Sequence, residues 1–569
     1  MKRLYYGDNL DVLREHISDE TIDLIYLDPP FNSKTDYNVL FKTPKGEHSE
    51  AQITAFEDTW EWGPESARSL EQLKFSNGDL AQLLDLVVQT LGKNSLSAYL
   101  VMMAIRLVEL HRVLKPTGSI YLHCDPNASH YLKMILDIIF GAANFRNEII
   151  WKRTSGHGDA RRRFGSVSDT ILFYSKTDKY LFKRQFTEHD ESYLNRDYRH
   201  IDTDGRRYRL DNLASPNPRP NLMYDYKGYQ HPPFGWRVSL EKMQQLDAEG
   251  RLKFPAKKDG RILLKRYLDE NPGLPVGNVW TDIQPINVRA KEKLGYPTQK
   301  PLALLERILE ASSNPGDVVL DPFCGCGTAV HAAEKLGRHW IGIDITHLAI
   351  SLIEKRLRDA FPGIQFEVVG DPEDLDGAKD LARRDKYQFQ WWACSLVNAQ
   401  PFQGKKKGAD GGIDGQIFFS DWADPIKKDQ VVIKKIIVSV KGGESVTLTM
   451  LKDLIATVQG NKAAMGLFVT LAPPTKPMIK EAASAGFYRA GNGKDYPRIQ
   501  ILTIEGLLSG RDRPAFFDMD MRGLTFKKAP REAAPGIQQE LALTLNPSPA
   551  GEGLQSGSPS PFLGEGIGG

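Results

Sequence analysis

Two groups of residues in this chain could do chemistry together. The first is Asp28-Pro29-Pro30-Phe31, a carboxylate, a backbone carbonyl freed by proline, and an aromatic ring. An exocyclic amine on a nucleobase is a poor nucleophile, because its lone pair is delocalised into the ring. The Asp28 carboxylate and the Pro29 carbonyl could accept its two N–H groups and rehybridise the nitrogen, while Phe31 stacks on the base. A plainer reading is a strand ending in a Pro-Pro turn, since each proline fixes φ and removes a backbone donor. The second group is Asp321-Pro322-Phe323-Cys324-Gly325-Cys326-Gly327-Thr328, followed by Asp344. Glycines at alternate positions allow a tight bend with room for a ligand. A carboxylate ending the next strand can accept both hydroxyls of a ribose. That spacing also admits a dinucleotide, although the third glycine of the dinucleotide fingerprint is missing.

Strands must carry both groups. Ile22 to Leu27 is an apolar run interrupted only by Asp23, and it reads as a buried strand that delivers Asp28 at its carboxyl end. Leu4-Tyr5-Tyr6-Gly7-Asp8-Asn9 reads as a strand running into a helix, with Asp8 or Asn9 as a cap. Residues 33–60 read as a mobile polar loop. Ala98 to Val113 has helical spacing and stops near Lys115-Pro116-Thr117-Gly118. Strand Ser119 to His123, helix Asp125 to Phe140 and strand Ile149 to Trp151 follow. Further on, helix Leu302 to Ser312 precedes strand Val318 to Leu320, helix Ala329 to Leu336 and strand Arg338 to Ile343. Alternating strands and helices predict an α/β fold with a doubly wound, mostly parallel sheet.

Between Lys152 and Asp282 that rhythm breaks. Arg161-Arg162-Arg163, a strand Thr170 to Tyr174, Arg206-Arg207-Tyr208-Arg209 and Gly235-Trp236-Arg237 interleave cations with aromatic and turn residues. Phosphate positioning together with base-edge reading needs that mixture. A solvated, irregular insertion is the alternative. The whole chain of 569 residues is close to neutral, with 74 basic and 72 acidic residues, so any basic surface must be local. Four cysteines are too few for a disulfide framework and fit a reducing cytoplasm. No apolar run approaches membrane length, and the start of the chain lacks a signal-peptide core.

Asp28-Pro29-Pro30-Phe31 resembles the catalytic motif of the amino-methylating DNA methyltransferases, which carry Asn, Asp or Ser before Pro-Pro and an aromatic residue. Tyr296-Pro297-Thr298-Gln299-Lys300-Pro301 and the glycine bend resemble that family's cofactor segments. The order of catalytic motif, insert and cofactor motif is similar to the β class, to which type III modification subunits belong. The resemblance implies S-adenosylmethionine as cofactor, held by Asp8, Thr298, Lys300, Asp321, Phe323, Gly325, Gly327, Thr328 and Asp344. It implies methyl transfer to N6 of adenine in double-stranded DNA, with N4 of cytosine as the alternative, and Asp28, Pro29, Pro30 and Phe31 as the catalytic set. Arg161, Arg162, Arg163 and Arg237 would contact DNA from the insert. A homodimer and a separate restriction subunit are assemblies known for such proteins.

After Gly370 the character of the chain changes. Helix Tyr387 to Val397, Gly412-Ile413-Asp414-Gly415, strand Gln416 to Phe419, strand Ile436 to Lys441, helix Met450 to Gln459 and strand Gly466 to Thr470 resemble the Mrr-type restriction-endonuclease fold. There Asp414 would bind Mg²⁺ and Lys441 would be the nuclease lysine, but Ser439 stands where a second metal ligand belongs. Cleavage and simple DNA binding both remain open. The expected units are 1–155 (catalytic half), 156–282 (recognition insert), 283–370 (cofactor half), 385–510 (endonuclease-like) and 533–569, a tail rich in Pro, Gly and Ser that reads as disordered.

Overall fold

A computed structural model describes residues 2–30, 61–154, 164–257, 259–287, 290–296, 298–402, 412–424, 426, 430–519 and 524–532, with the backbone alone for 36–42 and 48–57. The expected tail and the Arg161-Arg162-Arg163 run lie outside the described residues, as does Phe31.

Nine strands form the first sheet: β1 (Lys2–Tyr6), β2 (Ile22–Leu27), β3 (Leu114–Cys124), β4 (Phe145–Lys152), β5 (Ser168–Ser175), β6 (Val279–Trp280), β7 (Val318–Asp321), β8 (His339–Asp344) and β9 (Glu367–Val369). Their order across the sheet is β6-β4-β5-β3-β2-β7-β8-β1-β9. All neighbours are parallel except β5, which runs antiparallel to both β3 and β4. Strand β5 falls inside the stretch read from the sequence as insert, yet it lies within this sheet. Two strands separated by about 290 positions in the chain are brought together here: Leu24 pairs with Val319 and Ile25 with Leu320. Because β1, β2, β7 and β8 are parallel, their carboxyl ends open on one edge, where α/β sheets bind ligands.

The strand sequences explain the sheet. Five of the six residues of β2 are buried, as expected for a strand covered on both faces. Its exception is Asp23, which accepts both Lys115 Nζ at 2.8 Å and the Val318 N–H at 2.9 Å, so the interruption ties three strands together. Helices α1 (Asn9–His16) and α2 (Ser95–Val113) cover one face, with Val12, Leu13, Tyr99, Leu100 and Met103 in its core. Helices α3 (Leu302–Ser312), α4 (Thr328–Lys335) and α5 (His347–Ala360) cover the other through Leu304, Ile308, Ala332 and Ile353.

Some expected elements differ. Residues read as a loop contain an antiparallel hairpin, Asp36–Lys42 with His48–Glu57. Tyr37, Val39 and Phe41 carry a period-two pattern that the polar composition of the stretch masked. The helix expected from Asp125 to Phe140 is regular only over Ser129–Leu136 and widens to a π turn over Asp137–Gly141, although Asp125 does accept the Ala128 N–H. The insert is not irregular throughout: Leu252–Lys253, Leu263–Tyr267, Arg207–Asn212 and His200–Ile201 form a four-stranded antiparallel sheet over a core that includes Tyr226, Trp236 and Met243.

A second sheet holds β10 (Gln400–Pro401), β11 (Gly415–Trp422), β12 (Val431–Lys441), β13 (Met465–Thr470) and β14 (Ile499–Thr503) in that order. Helix α6 (Lys386–Leu396) joins it to the first unit: Trp391 packs with Tyr296, Cys326, Leu348 and Leu352, and the Gln388 side-chain oxygen accepts the His347 N–H. The chain then returns. Thr525 Oγ1 accepts the Phe418 N–H of the second sheet, while Glu532 bonds His331 on α4 at 3.0 Å. No helix among the described residues is long and apolar enough to cross a membrane.

Candidate active site

The carboxyl ends of β1, β2, β7 and β8 enclose a cavity of about 280 Å³. It is lined by Asp8 after β1, by Asp28, Pro29 and Pro30 after β2, by Asp321 to Cys326 and Thr328 after β7, and by Asp344 at the end of β8, with Thr298 and Lys300 closing one side. The acidic Pro-Pro turn and the glycine bend therefore share one space.

Asp28 is divided between two environments. Its Oδ2 accepts the Lys300 ammonium at 2.5 Å. Its Oδ1 is buried and has no hydrogen-bond partner among the described residues. A buried acceptor left unpaired is costly, and it marks the place where a donor belongs.

The bend has a matching internal logic. Gly325 and Gly327 sit at φ +53° and +73°, in the left-handed region that favours glycine. Asp344 Oδ2 accepts the Gly325 N–H at 2.9 Å, and Oδ1 accepts both the N–H and the hydroxyl of Thr346. Asp321 Oδ1 accepts the Phe323 N–H at 3.1 Å. Thr328 opens α4 with its hydroxyl bonded to the buried Arg356 guanidinium, which also holds the Cys326 carbonyl. Burial pushes the Asp321 carboxyl well above the usual range, and the charges of Asp28 and Asp344 push it the same way. Burial likewise raises Asp344, to about 6, against the hydrogen bonds from Thr346 and Gly325.

Asp8 has two places in the structure. It caps α1, accepting the Leu10 N–H at 2.7 Å, and it also lines the cavity. Arg106 on α2 grips it with contacts of 2.8 and 3.0 Å and reaches Asn9, whose amide in turn donates to the Pro322 carbonyl. The sequence reading missed Arg106 and gave Asn9 only as a possible cap. The signal was present, because Arg106 is the one charged residue between Ala98 and Val108. Also missed was a buried chain beneath Asp28. Tyr26 lines the cavity and bonds His123 Nδ1 at 3.0 Å, His123 Nε2 meets Asp169 at 3.1 Å, and Arg153 pairs with Asp169 at 2.9 Å. With Asp169 ionised, Nε2–H donates to it and Nδ1 accepts the Tyr26 hydroxyl.

Arg237 lies in the insert, away from the cavity lining, with its Nε donating to the Ala214 carbonyl. In the second unit, Asp414 Oδ2 accepts the Val440 N–H at 2.6 Å and the Ser439 hydroxyl at 3.2 Å. Lys441 donates to Ser439 at 2.9 Å and stands 3.7 Å from Asp414. Among the described residues the set is one carboxylate, one hydroxyl and one ammonium, whereas Mg²⁺ takes oxygen ligands and is usually anchored by carboxylates. Among the described residues no group of three or more His, Cys, Asp or Glu side chains is placed to hold a metal ion.

The family model for DNA methylases of the N6 and N4 type matches residues 22–355, which span the Asp-Pro-Pro turn, the glycine bend and Asp344. The chain belongs to the DNA methylase family. A restriction-endonuclease model matches residues 381–495, so a second domain of that type follows the methylase part. Three relatives fit the same picture. The type II methyltransferase M.EcaI of Enterobacter cloacae is 34% identical over 262 residues, covering 46% of this chain and 57% of that protein. The StyLTI Mod subunit, from a type III restriction-modification enzyme of Salmonella typhimurium, is 28% identical over 348 residues, covering 58% of this chain and 49% of that protein. The DNA adenine methyltransferase YhdJ of Escherichia coli is 26% identical over 356 residues, 63% of this chain and 82% of that protein. The chain thus spans about half the length of the first two relatives.

Proposed function

We propose that this DNA methylase transfers a methyl group from S-adenosylmethionine to N6 of adenine in double-stranded DNA. The observation that carries the reading is the buried, unpartnered Oδ1 of Asp28 in a cavity whose other wall is the glycine bend. S-adenosylmethionine supplies a methyl group already activated on a sulfonium. The donor set suits it: Asp344 would accept the ribose hydroxyls, Gly325 leaves backbone room beside it, and Asp8, Asp321, Phe323, Thr298 and Thr328 line the rest; Gly327 lies outside the lining and shapes the bend against Ile353 and Val330.

An adenine amine is unreachable inside a duplex, so the target base must swing out of the stack. Asp28 Oδ1 and the Pro29 carbonyl then accept the two N6–H bonds and direct the nitrogen lone pair away from the ring. Phe31 stacks on the base. As the new N–C bond forms and the S–C bond breaks, N6 sheds one proton, which Asp28 Oδ1 is placed to receive. Positioning supplies much of the rate. The insert, with Arg237 and the Arg161-Arg162-Arg163 run, would dock on DNA, and a homodimer or a separate restriction subunit would complete the assembly in the cytoplasm. Mg²⁺-dependent cleavage finds no support in the donor set around Asp414.

Incubation with tritiated methyl donor and duplex DNA, followed by nucleoside analysis, should place the label in N6-methyladenine. Label in N4-methylcytosine, or none in DNA, overturns the reading. A second expectation concerns pH. Asp344 accepts both ribose hydroxyls best as a carboxylate, and its carboxyl is raised to about 6. Affinity for S-adenosylmethionine should therefore fall as pH drops through that value, by at most about tenfold for each pH unit. Equilibrium titrations of the wild type and Asp344→Asn check this, because the variant should bind weakly with a flatter profile.

A further inference from the structure

We infer that Lys300 is a positioning residue for Asp28, the residue that fixes the plane of the carboxylate so that its other oxygen faces the target amine. The inference rests on the proposed methyl transfer and extends it to a group whose expected place was the cofactor.

The geometry has three parts. Lys300 is only 10% exposed at its side chain, and its Nζ lies 2.5 Å from Asp28 Oδ2. The bond joins positions 272 residues apart, across the two halves of the sheet. The segment that carries Lys300 is locked from both sides: the Gln299 side chain accepts the Leu294 N–H and donates to the Glu292 carbonyl, while Glu292 accepts the Leu302 N–H at the start of α3. The ammonium is thus held in place by its own loop, and it holds Asp28 in turn. Finally, the oxygen it leaves over, Oδ1, is the buried atom without a partner.

The two oxygens of a carboxylate are equivalent, but its plane can turn about the last bond of the side chain and aim both away from the amine. With one oxygen bound to Lys300 that plane is fixed, and the other oxygen is held facing the cavity. Lys300 also stands between negative groups: its charge opposes those of Asp28 and Asp344 in setting Asp321. Without it, Asp28 would face Asp321 and Asp344 with no cation bonded to it, and would turn away from the base. A cofactor ligand would behave differently, since its loss appears in binding.

The test compares Lys300→Met and Lys300→Arg with wild type in steady-state methyl transfer and in equilibrium titration with S-adenosylmethionine. Lys300→Met should lower kcat by roughly 10²-fold, the scale of a misplaced reacting group, with KM for DNA and cofactor affinity nearly unchanged. Lys300→Arg, which keeps a cation at the carboxylate, should recover much of the loss. Unchanged kcat in Lys300→Met overturns the inference, and so does a loss of cofactor affinity that parallels the loss of rate. If the wild type transfers no methyl group to DNA, or Asp28→Ala turns over like wild type, it is the proposed function that fails instead.

Discussion

Asp28→Ala should abolish methyl transfer, with kcat falling by about 10³-fold or more, the scale seen when an oriented hydrogen-bonding group is deleted from an active site. Cofactor binding should largely persist, because in the proposed reading the cofactor is held by the opposite wall of the cavity, Asp344 and the glycine bend. DNA binding should also persist, since the proposal gives it to cations of the insert. The loss should appear in kcat because Oδ1 acts on the amine after the base has entered the cavity. Asp28→Asn is the informative companion. Its amide oxygen can still accept one N6–H, but its NH₂ group cannot accept the Lys300 ammonium, so the two roles of the carboxylate separate. An intermediate rate is expected. Incorporation of tritiated methyl into duplex DNA measures all three proteins, and turnover retained by Asp28→Ala would remove Asp28 from the mechanism.

What could be read from the sequence were the groups that chain connectivity keeps together. Asp28-Pro29-Pro30 and Asp321 to Thr328 each occupy one turn, so residue type and spacing already state the local backbone and the chemistry. The strand Val318–Asp321 was legible as a short continuous apolar run, and the helix Leu302–Ser312 from apolar residues at helical spacing. Partnerships across the fold were not legible. Lys300 was assigned by its neighbours in the chain to the cofactor, and its bond to Asp28, just past the end of β2, could not be seen from them. Arg106 meets Asp8 only because α2 packs beside α1, and His123 meets Tyr26 only because β3 lies next to β2. The hairpin at 36–57 escaped for another reason: its turn residues outweigh its short alternating pattern. Strand β5 was assigned to the insert because it follows a break in rhythm, but antiparallel pairing needs no crossover helix to announce it.

Gly327→Val should cost the protein its cofactor site. At φ +73° an L-residue is strained by about 1–2 kcal/mol. A Cβ there would meet Ile353 at 2.9 and 3.0 Å and Val330 at 3.1 Å, closer than packed side chains tolerate. Ile353 belongs to the core that α5 buries against the sheet, so it has little freedom to retreat. Overpacking of this kind costs about 1–3 kcal/mol more. The least damaging escape is for the bend itself to shift, and the Gly325 N–H would then leave Asp344. Affinity for S-adenosylmethionine should fall by about 10²-fold, the equivalent of roughly 3 kcal/mol, with a lowered melting temperature in the same protein. Gly337→Ala gives the comparison: it shares the positive φ, but its Cβ meets nothing closer than Pro315 at 4.0 Å, and it lies beyond α4 outside the cavity lining. It should lose some stability and keep cofactor affinity. Equal loss of affinity in both variants would mean that general destabilisation, rather than the shape of the bend, sets cofactor binding.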